Sequence, residues 1–201
     1  LRLIYSYLKH SITFSNETKI RNEIVFAFLD NFNIDSFLNI LENNKSKYNV
    51  YLKMVGYSYK IVADKEDITS ISKLADLVNE NPVYFSKNEL QNIYASIVTF
   101  YRYQNEKYKN VYLDEELRVY NNILKEKLFM DNKNILQLSF CRNYIRLCVL
   151  KQDTNRIKEF CEEYYLNLPD LYKQDLTDYC DSVYFFEKKL FEKSLSAASK
   201  V

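Results

Sequence analysis

A stripe of polar side chains between residues 139 and 146 is the first place where this chain could do chemistry. The stripe consists of Ser139, Arg142, Asn143 and Arg146. These residues recur at helical spacings of three and four in a segment that is otherwise apolar. A helix that is apolar around most of its circumference and has one exposed polar stripe is typical of an inner helix that lines a groove, which makes Arg142, Asn143 and Arg146 candidate partner-binding residues. The alternative is structural, because a matching acidic stripe further along the chain, Asp178 and Asp181, could pair with the two arginines.

The second candidate is the run formed by Tyr101, Arg102 and Tyr103. Tyrosine and arginine are favoured at the energetic centres of protein interfaces, so these side chains are candidates for an exposed recognition patch. The chain contains 19 Tyr, 13 Phe and no Trp. The alternative is therefore that most aromatic rings, these included, fill the core between helices.

Catalytic chemistry finds little support. A phosphate-binding loop needs several glycines, and the chain has one. The single histidine, His10, would need catalytic partners from distant parts of the chain and is interpreted as a surface residue near a helix end. The carboxylate runs "DEE" at 114–116 and "CEE" at 161–163 lie among lysines and are interpreted as solvent-exposed faces. We predict no enzymatic activity and no cofactor.

The cysteines do not form a metal-binding pattern. There are four of them, at apolar positions and without a closely spaced pair: Cys141, Cys148, Cys161 and Cys180. Zinc sites use short-spaced cysteine pairs or histidines, so no metal site is predicted. The expectation is four buried, free thiols in a reducing cytoplasm.

Charge and hydropathy limit the classes of partner. The 28 basic and 27 acidic residues nearly cancel. Nucleic-acid binding draws on a basic excess, so no nucleic-acid partner is predicted. No run of about 18 apolar residues is present, so no membrane span is predicted. The start, "LRLIYSYLKH", has neither a Met nor the pattern of a signal peptide. It is typical of a helix interior, and the chain is predicted to be a fragment of a longer protein.

The apolar residues recur with the helical period almost throughout, which predicts an all-α fold. Sheets and hairpins consume glycine and proline in their turns, and this chain has one Gly and two Pro in 201 residues. Helices are predicted near 1–10, 17–31, 34–43, 46–63, 67–80, 86–105, 112–128, 134–151, 154–167, 170–188 and 190–200.

Several helix starts carry capping residues. Ser46 and Asp67 precede apolar helical segments, and Ser86 is followed by Glu89 at the spacing of a capping box. Pro169 is placed where a new helix can begin. Because the breaks are short and the helices alternate in length, we predict one domain over 1–201 built of stacked helical hairpins. The hairpins are predicted at about 17–43, 46–80, 86–128, 134–167 and 170–200.

The hairpin at 46–80 resembles a tetratricopeptide repeat. Its first helix has a large apolar residue, an apolar–glycine pair and a tyrosine at that family's spacing: Leu52, Val55, Gly56 and Tyr59. The second helix is similar at Ile68 and Ala75, and Pro82 follows close to the usual closing proline. Later pairs are similar at Pro169 and at the small residues Ser194, Ala197 and Ala198. The texture of 86–201 also resembles large helical-repeat proteins of AT-rich bacteria.

This resemblance implies a right-handed α-solenoid that binds a protein or peptide on its concave face. In such a groove Arg142, Asn143 and Arg146 would grip a partner's carboxylate. Gly56 would be a point of close approach between two helices, with Ile68 or Ile71 as its neighbour. The function expected is a non-enzymatic, cytoplasmic scaffold module. The alternative is a peptide-sensing regulatory domain of a larger signalling or transcriptional protein.

Overall fold

The computed structural model describes residues 33–42, 47–131 and 133–200. The predicted helices at 1–10 and 17–31, His10 and the cap Ser46 lie outside the described residues. Within them every regular element is helical, apart from one isolated antiparallel bridge between Met130 and Leu136. The prediction of an all-α fold is confirmed.

The helices keep close to the predicted bounds. In the described ranges they are α1 (Ile34–Glu42), α2 (Lys47–Ala63), α3 (Ile68–Glu80), α4 (Lys87–Lys107), α5 (Leu113–Lys125), α6 (Leu138–Leu150), α7 (Thr154–Glu163), α8 (Lys173–Glu187) and α9 (Phe191–Ala198). Short 3-10 turns cover Pro82–Tyr84, Tyr165–Asn167 and Asp170–Tyr172. Of the described helices, none is both long and apolar enough to cross a bilayer.

Helix α6 begins later than predicted because residues before it bond elsewhere. The backbone N–H of Leu136 donates to the carbonyl of Asn167 at 2.7 Å, and that of Gln137 donates to Phe129 at 3.0 Å. Asn134 has a positive φ of 62°, which a helix does not accommodate. These bonds fix an extended entry to α6 that apolar periodicity does not reveal.

The chain divides into two compact units, Leu1–Leu90 and Gln91–Val201, and each is described by itself. That the two act as one domain stays a prediction. In the first unit α2 packs against both α1 and α3. Its core is formed by buried side chains of these helices, including Met54, Ile71, Leu74, Ala75 and Val78.

Two predicted helix starts in the first unit are confirmed. The carboxylate of Asp67 accepts a hydrogen bond from the backbone N–H of Ser70 at 2.9 Å, capping α3. At α4 the Glu89 carboxylate accepts from the Ser86 N–H at 2.8 Å, while the Ser86 hydroxyl accepts from the Glu89 N–H at 3.3 Å. This reciprocal pair is a capping box.

Gly56 is a point of close approach, but its neighbour is not the predicted one. A Cβ at this position would lie 2.7 Å from Leu38 Cδ2 and 3.5 Å from Ile34 Cδ1, both on α1. The prediction of Ile68 or Ile71, on α3, is therefore wrong. A helix has several faces, and spacing along one helix does not decide which of two packed neighbours meets a given face.

In the second unit the helices from α5 onward pack in chain order. Each of α5, α6, α7 and α8 contacts the helix that follows it. Helix α6 thus lies between α5 and α7, and most of its apolar side chains are buried, namely Phe140, Cys141, Tyr144, Ile145, Leu147 and Cys148. Ile145, Leu147 and Cys148 of α6 are completely inaccessible to solvent.

The prediction of four free thiols is wrong for two of the cysteines. Cys161 on α7 and Cys180 on α8 are joined as a disulfide, and their Cα atoms are 7.1 Å apart. This separation is just above the upper end of the usual disulfide range, about 6.8 Å. Cys141 and Cys148 are free and buried, as predicted. Only the packing of α7 on α8 brings Cys161 and Cys180 together, and their spacing in the sequence does not predict this contact.

Candidate functional site

The polar stripe of α6 lies on the surface of that helix. Ser139, Arg142 and Arg146 are exposed and Asn143 is half-buried. Arg142 makes no hydrogen bond or ion pair with the part of the chain that the structure describes. Because Arg142 precedes Arg146 by one helical turn, the two guanidinium groups share one face of α6.

The guanidinium group of Arg146 contacts a buried carboxylate on α5. Its Nη2 atom lies 3.4 Å from Oε1 of Glu116. The Arg146 side chain is 43% exposed, whereas that of Glu116 is 0% exposed. The guanidinium group therefore bridges the protein interior and the solvent.

Arg102 of α4 approaches the same carboxylate oxygen. Its Nε atom is 4.0 Å from Oε1 of Glu116, and its side chain is 36% exposed. Its Nη2 atom donates a hydrogen bond to the hydroxyl of Tyr120 at 3.2 Å. Within the described residues its buried Nε donor has no hydrogen-bond acceptor. Arg102 and Arg146, 44 residues apart in sequence, thus converge on Glu116.

Asn105 holds the other oxygen of this carboxylate. Its Nδ2 atom donates to Oε2 of Glu116 at 2.8 Å, and its Oδ1 atom accepts from the backbone N–H of Tyr112 at 2.7 Å. The first bond fixes the rotamer of Glu116, and the second fixes the linker between α4 and α5. Lys109 and Asn110 in that linker have positive φ values of 54° and 68°. The short linker at 108–112 is in this way held against the site.

The environment of Glu116 shifts the pKa of its carboxyl group in two opposing directions. Burial raises the pKa of its carboxyl group, while the bond from Asn105 and the charges of Arg146 and Arg102 offset part of that rise. One carboxylate faces two permanent cations, so the cluster of Glu116, Arg102 and Arg146 carries a net charge of about +1 when Glu116 is ionised. The excess positive charge lies on the exposed arginine side chains.

The predicted patch at 101–103 is only partly at the surface. Tyr101 is 0% exposed, and its ring packs near those of Phe100 and Tyr112 at centroid distances of 6.0 and 6.3 Å. The prediction of an exposed Tyr101 is therefore wrong, since the residue continues the buried face of α4 that includes Ile97. Tyr103 is 46% exposed. The structure brings Arg102, not the whole triplet, to the α6 stripe.

The predicted pairing of the α6 arginines with Asp178 and Asp181 is not found. Asp178 is buried and accepts a hydrogen bond from the side-chain amide of Gln174 at 3.0 Å. Arg146 contacts Glu116 instead. Helices α7 and α9, and not α6, are the main helical neighbours of α8 in the second unit, so its carboxylates lie out of register with the α6 stripe.

Glu116 is the buried member of the candidate site that sequence reasoning missed. The interpretation of the run "DEE" as solvent-exposed is correct for Asp114 but wrong for Glu116. The sequence contains one sign of this burial. Glu116 follows Leu113 by three positions and precedes Tyr120 by four, which places it on the apolar stripe of α5. Asn105 has no such signal. Its role depends on the path of the linker.

No group of three or more His, Cys, Asp or Glu side chains in the described ranges could hold a metal ion.

Comparison of the chain with known protein families, with curated proteins and with solved structures finds no match. The tetratricopeptide-like character and the bacterial resemblance therefore stay predictions.

Proposed function

We propose that the chain is a non-enzymatic module that binds a protein or peptide through Arg102, Arg142 and Arg146. The observation that carries the proposal is the shared, fully buried carboxylate of Glu116 beneath Arg102 and Arg146. A buried anion orients both guanidinium groups before a partner arrives. Pre-organised side chains lose less conformational entropy on binding, which favours affinity.

The partner chemistry that suits this arrangement is a carboxylate. Arginine binds carboxylates through two parallel hydrogen bonds, a geometry that lysine does not offer. Glu116 compensates one of the two cations that it contacts, and Arg142 adds another on the same face of α6. The remaining positive charge suits an aspartate or glutamate side chain, or a chain terminus, of the partner.

The wider architecture is part of the same proposal. The helices from α5 to α9 packing in chain order support stacked hairpins, and we propose that they form a tetratricopeptide-like right-handed solenoid with the arginines on its concave face. The cytoplasmic location is also a proposal.

Selection of random peptides against the immobilised chain tests the binding function. We expect the enriched peptides to contain Asp or Glu, and replacing that residue by Asn or Gln should weaken binding about tenfold. Arg142→Ala should weaken binding without disturbing Glu116, because Arg142 contacts no described residue by hydrogen bond or ion pair. Arg146→Lys should weaken it although the charge is kept.

The control is Arg118→Ala, which removes an exposed arginine from α5 outside the cluster. Circular dichroism of each variant verifies that the helices remain. If selected peptides bind Arg142→Ala and Arg146→Lys as tightly as the unaltered chain, or if no acidic residue is enriched, the proposed site is wrong.

A further inference from the structure

A cleft of about 260 Å³ opens between α5, α6 and α7 in the second unit. It is separate from the Glu116 cluster, and none of the arginines of that cluster lines it. An apolar cavity of roughly 150 Å³ accommodates benzene, and pockets for drug-sized ligands begin at about 300 Å³. The volume of this cleft therefore matches one large side chain.

The floor of the cleft is aromatic and apolar. Leu124, Tyr144 and Phe160 line it, and all three are buried. The rings of Tyr144 and Phe160 have their centroids 4.6 Å apart, and the half-buried ring of Tyr164 lies 5.3 Å from that of Phe160. The Tyr144 hydroxyl donates to Oδ1 of Asn121 at 3.1 Å, which holds the floor in place.

The charges around the cleft cancel. Two cations, Lys125 and Arg156, and two carboxylates, Glu159 and Glu163, line it. A charged ligand would meet repulsion as well as attraction there. The phenols of the lining are uncharged at neutral pH, as tyrosine ordinarily is, and burial raises the pKa of Tyr144 and, together with Glu163, that of Tyr164 still further.

We propose that this cleft binds one uncharged aromatic side chain, a Phe, Tyr or Trp of the protein or peptide partner. Aromatic rings pack favourably against one another at centroid distances of about 4.5–7 Å, and the rings of Tyr144, Phe160 and Tyr164 line the cleft. Buried aromatic anchors dominate many protein interfaces. The inference rests on the proposed binding function and adds a specificity pocket to it.

Titration of the ¹⁵N-labelled chain with capped amino acids tests the pocket directly. The probes are N-acetyl-phenylalaninamide, its leucine, lysine and aspartate counterparts, and buffer alone. The phenylalanine probe should shift the amide signals of α7 near Phe160 with a dissociation constant on the order of 1 mM. The aliphatic and charged probes should bind at least about threefold more weakly. Equal or tighter binding of the lysine or aspartate probe would overturn the inference.

Matched variants locate the binding. Tyr164→Ala removes a half-buried wall of the cleft and should weaken binding of the phenylalanine probe about threefold to tenfold. Tyr165→Ala removes the neighbouring, exposed ring, which is not part of the lining, and should leave binding unchanged. Glu159→Gln tests the rim without touching the floor and should change binding of this uncharged probe less than twofold. Equal losses in Tyr164→Ala and Tyr165→Ala would overturn the inference.

The two proposals fail separately. If the aromatic probe binds and the arginine variants retain every selected peptide, the arginine site is wrong and the cleft stands. If acidic peptides depend on the arginines but the aromatic probe shifts no signal of α7, the cleft inference is wrong.

Discussion

Nη2 of Arg146 lies 3.4 Å from Oε1 of Glu116, and the side chain of Arg146 is 43% exposed whereas that of Glu116 is completely buried. A charge that is removed from water is costly unless it is paired and hydrogen-bonded. Glu116 meets this requirement through Asn105 as well as Arg146. A buried carboxylate that supports surface arginines is the arrangement from which the proposed function follows.

The pH dependence of stability should reveal Glu116. Because burial raises its pKa, Glu116 keeps its proton to a higher pH in the folded chain than in the unfolded chain, and stability decreases as pH rises through the folded-state pKa. Glu116→Gln removes this titration and keeps an oxygen that can accept from Asn105. We expect the unaltered chain to lose stability relative to Glu116→Gln as pH rises above the ordinary pKa of a glutamate, as measured by urea denaturation.

The control for this experiment is Glu115→Gln, which alters the adjacent, half-buried carboxylate. Its difference from the unaltered chain should vary less with pH than that of Glu116→Gln. A gain of stability by the unaltered chain over Glu116→Gln as pH rises would show that the arginines outweigh burial, the opposite of the expected direction.

Enlarging Gly56 should destabilise the first unit. A Cβ added at this position would lie 2.7 Å from Leu38 Cδ2, so Gly56→Leu should cost about 1–3 kcal/mol through overpacking. Denaturant unfolding measures this cost. In a double-mutant cycle, Leu38→Ala should relieve part of it. Strictly additive effects of the two changes would show that Leu38 is not the contact that limits the size of residue 56.

The Asp67 cap should contribute measurably to α3. Asp67→Ala is expected to lower stability by about 1 kcal/mol, whereas Asp67→Asn, which retains a capping oxygen, should lower it less. Burial alone would raise the pKa of Asp67, but hydrogen bonds from Ser70 and the charge of Lys60 lower it overall. The advantage of Asp67 over Asn should therefore disappear as pH falls through this lowered pKa. Equal losses in the two variants would contradict the capping role.

Thiol titration tests the cysteine pairing. Burial raises the pKa of Cys141 and of Cys148 to about 12, so neither should react quickly in the folded chain, because the thiolate is the reactive form. In denaturant without a reductant, two thiols per chain should react, and four should react after reduction. Cys161→Ser should expose three without reduction. Four reactive thiols in the unreduced, unfolded chain would rule out the disulfide.

Reduction should also change stability. The two bonded cysteines are 19 positions apart, and closing a loop of this length stabilises a fold by about 3 kcal/mol in the chain-entropy model. Unfolding in urea with and without reductant measures the difference. A Cys161→Ser variant should show no further loss on reduction, which separates the effect of the bond from other effects of the reductant.

Much of the local structure was predictable because its causes are local. The helical period placed α2 through α9 close to their observed bounds, and the capping residues Asp67, Ser86 and Glu89 act as predicted. The exposure of Ser139, Arg142 and Arg146 and the burial of most of the opposite face of α6 were also predicted correctly. Each of these features depends on residues three or four positions apart, which neighbour one another in any α-helix.

The tertiary structure alone decided which helix faces meet. Gly56 meets Leu38 instead of Ile68 or Ile71, Cys161 meets Cys180, and Arg102 and Arg146 meet at Glu116. Sequence periodicity defines the faces of each helix but not its neighbours, because those depend on interhelical packing and on linkers such as the one that Asn105 holds. The chain by itself thus determined its helices and their polar stripes, and packing determined the site.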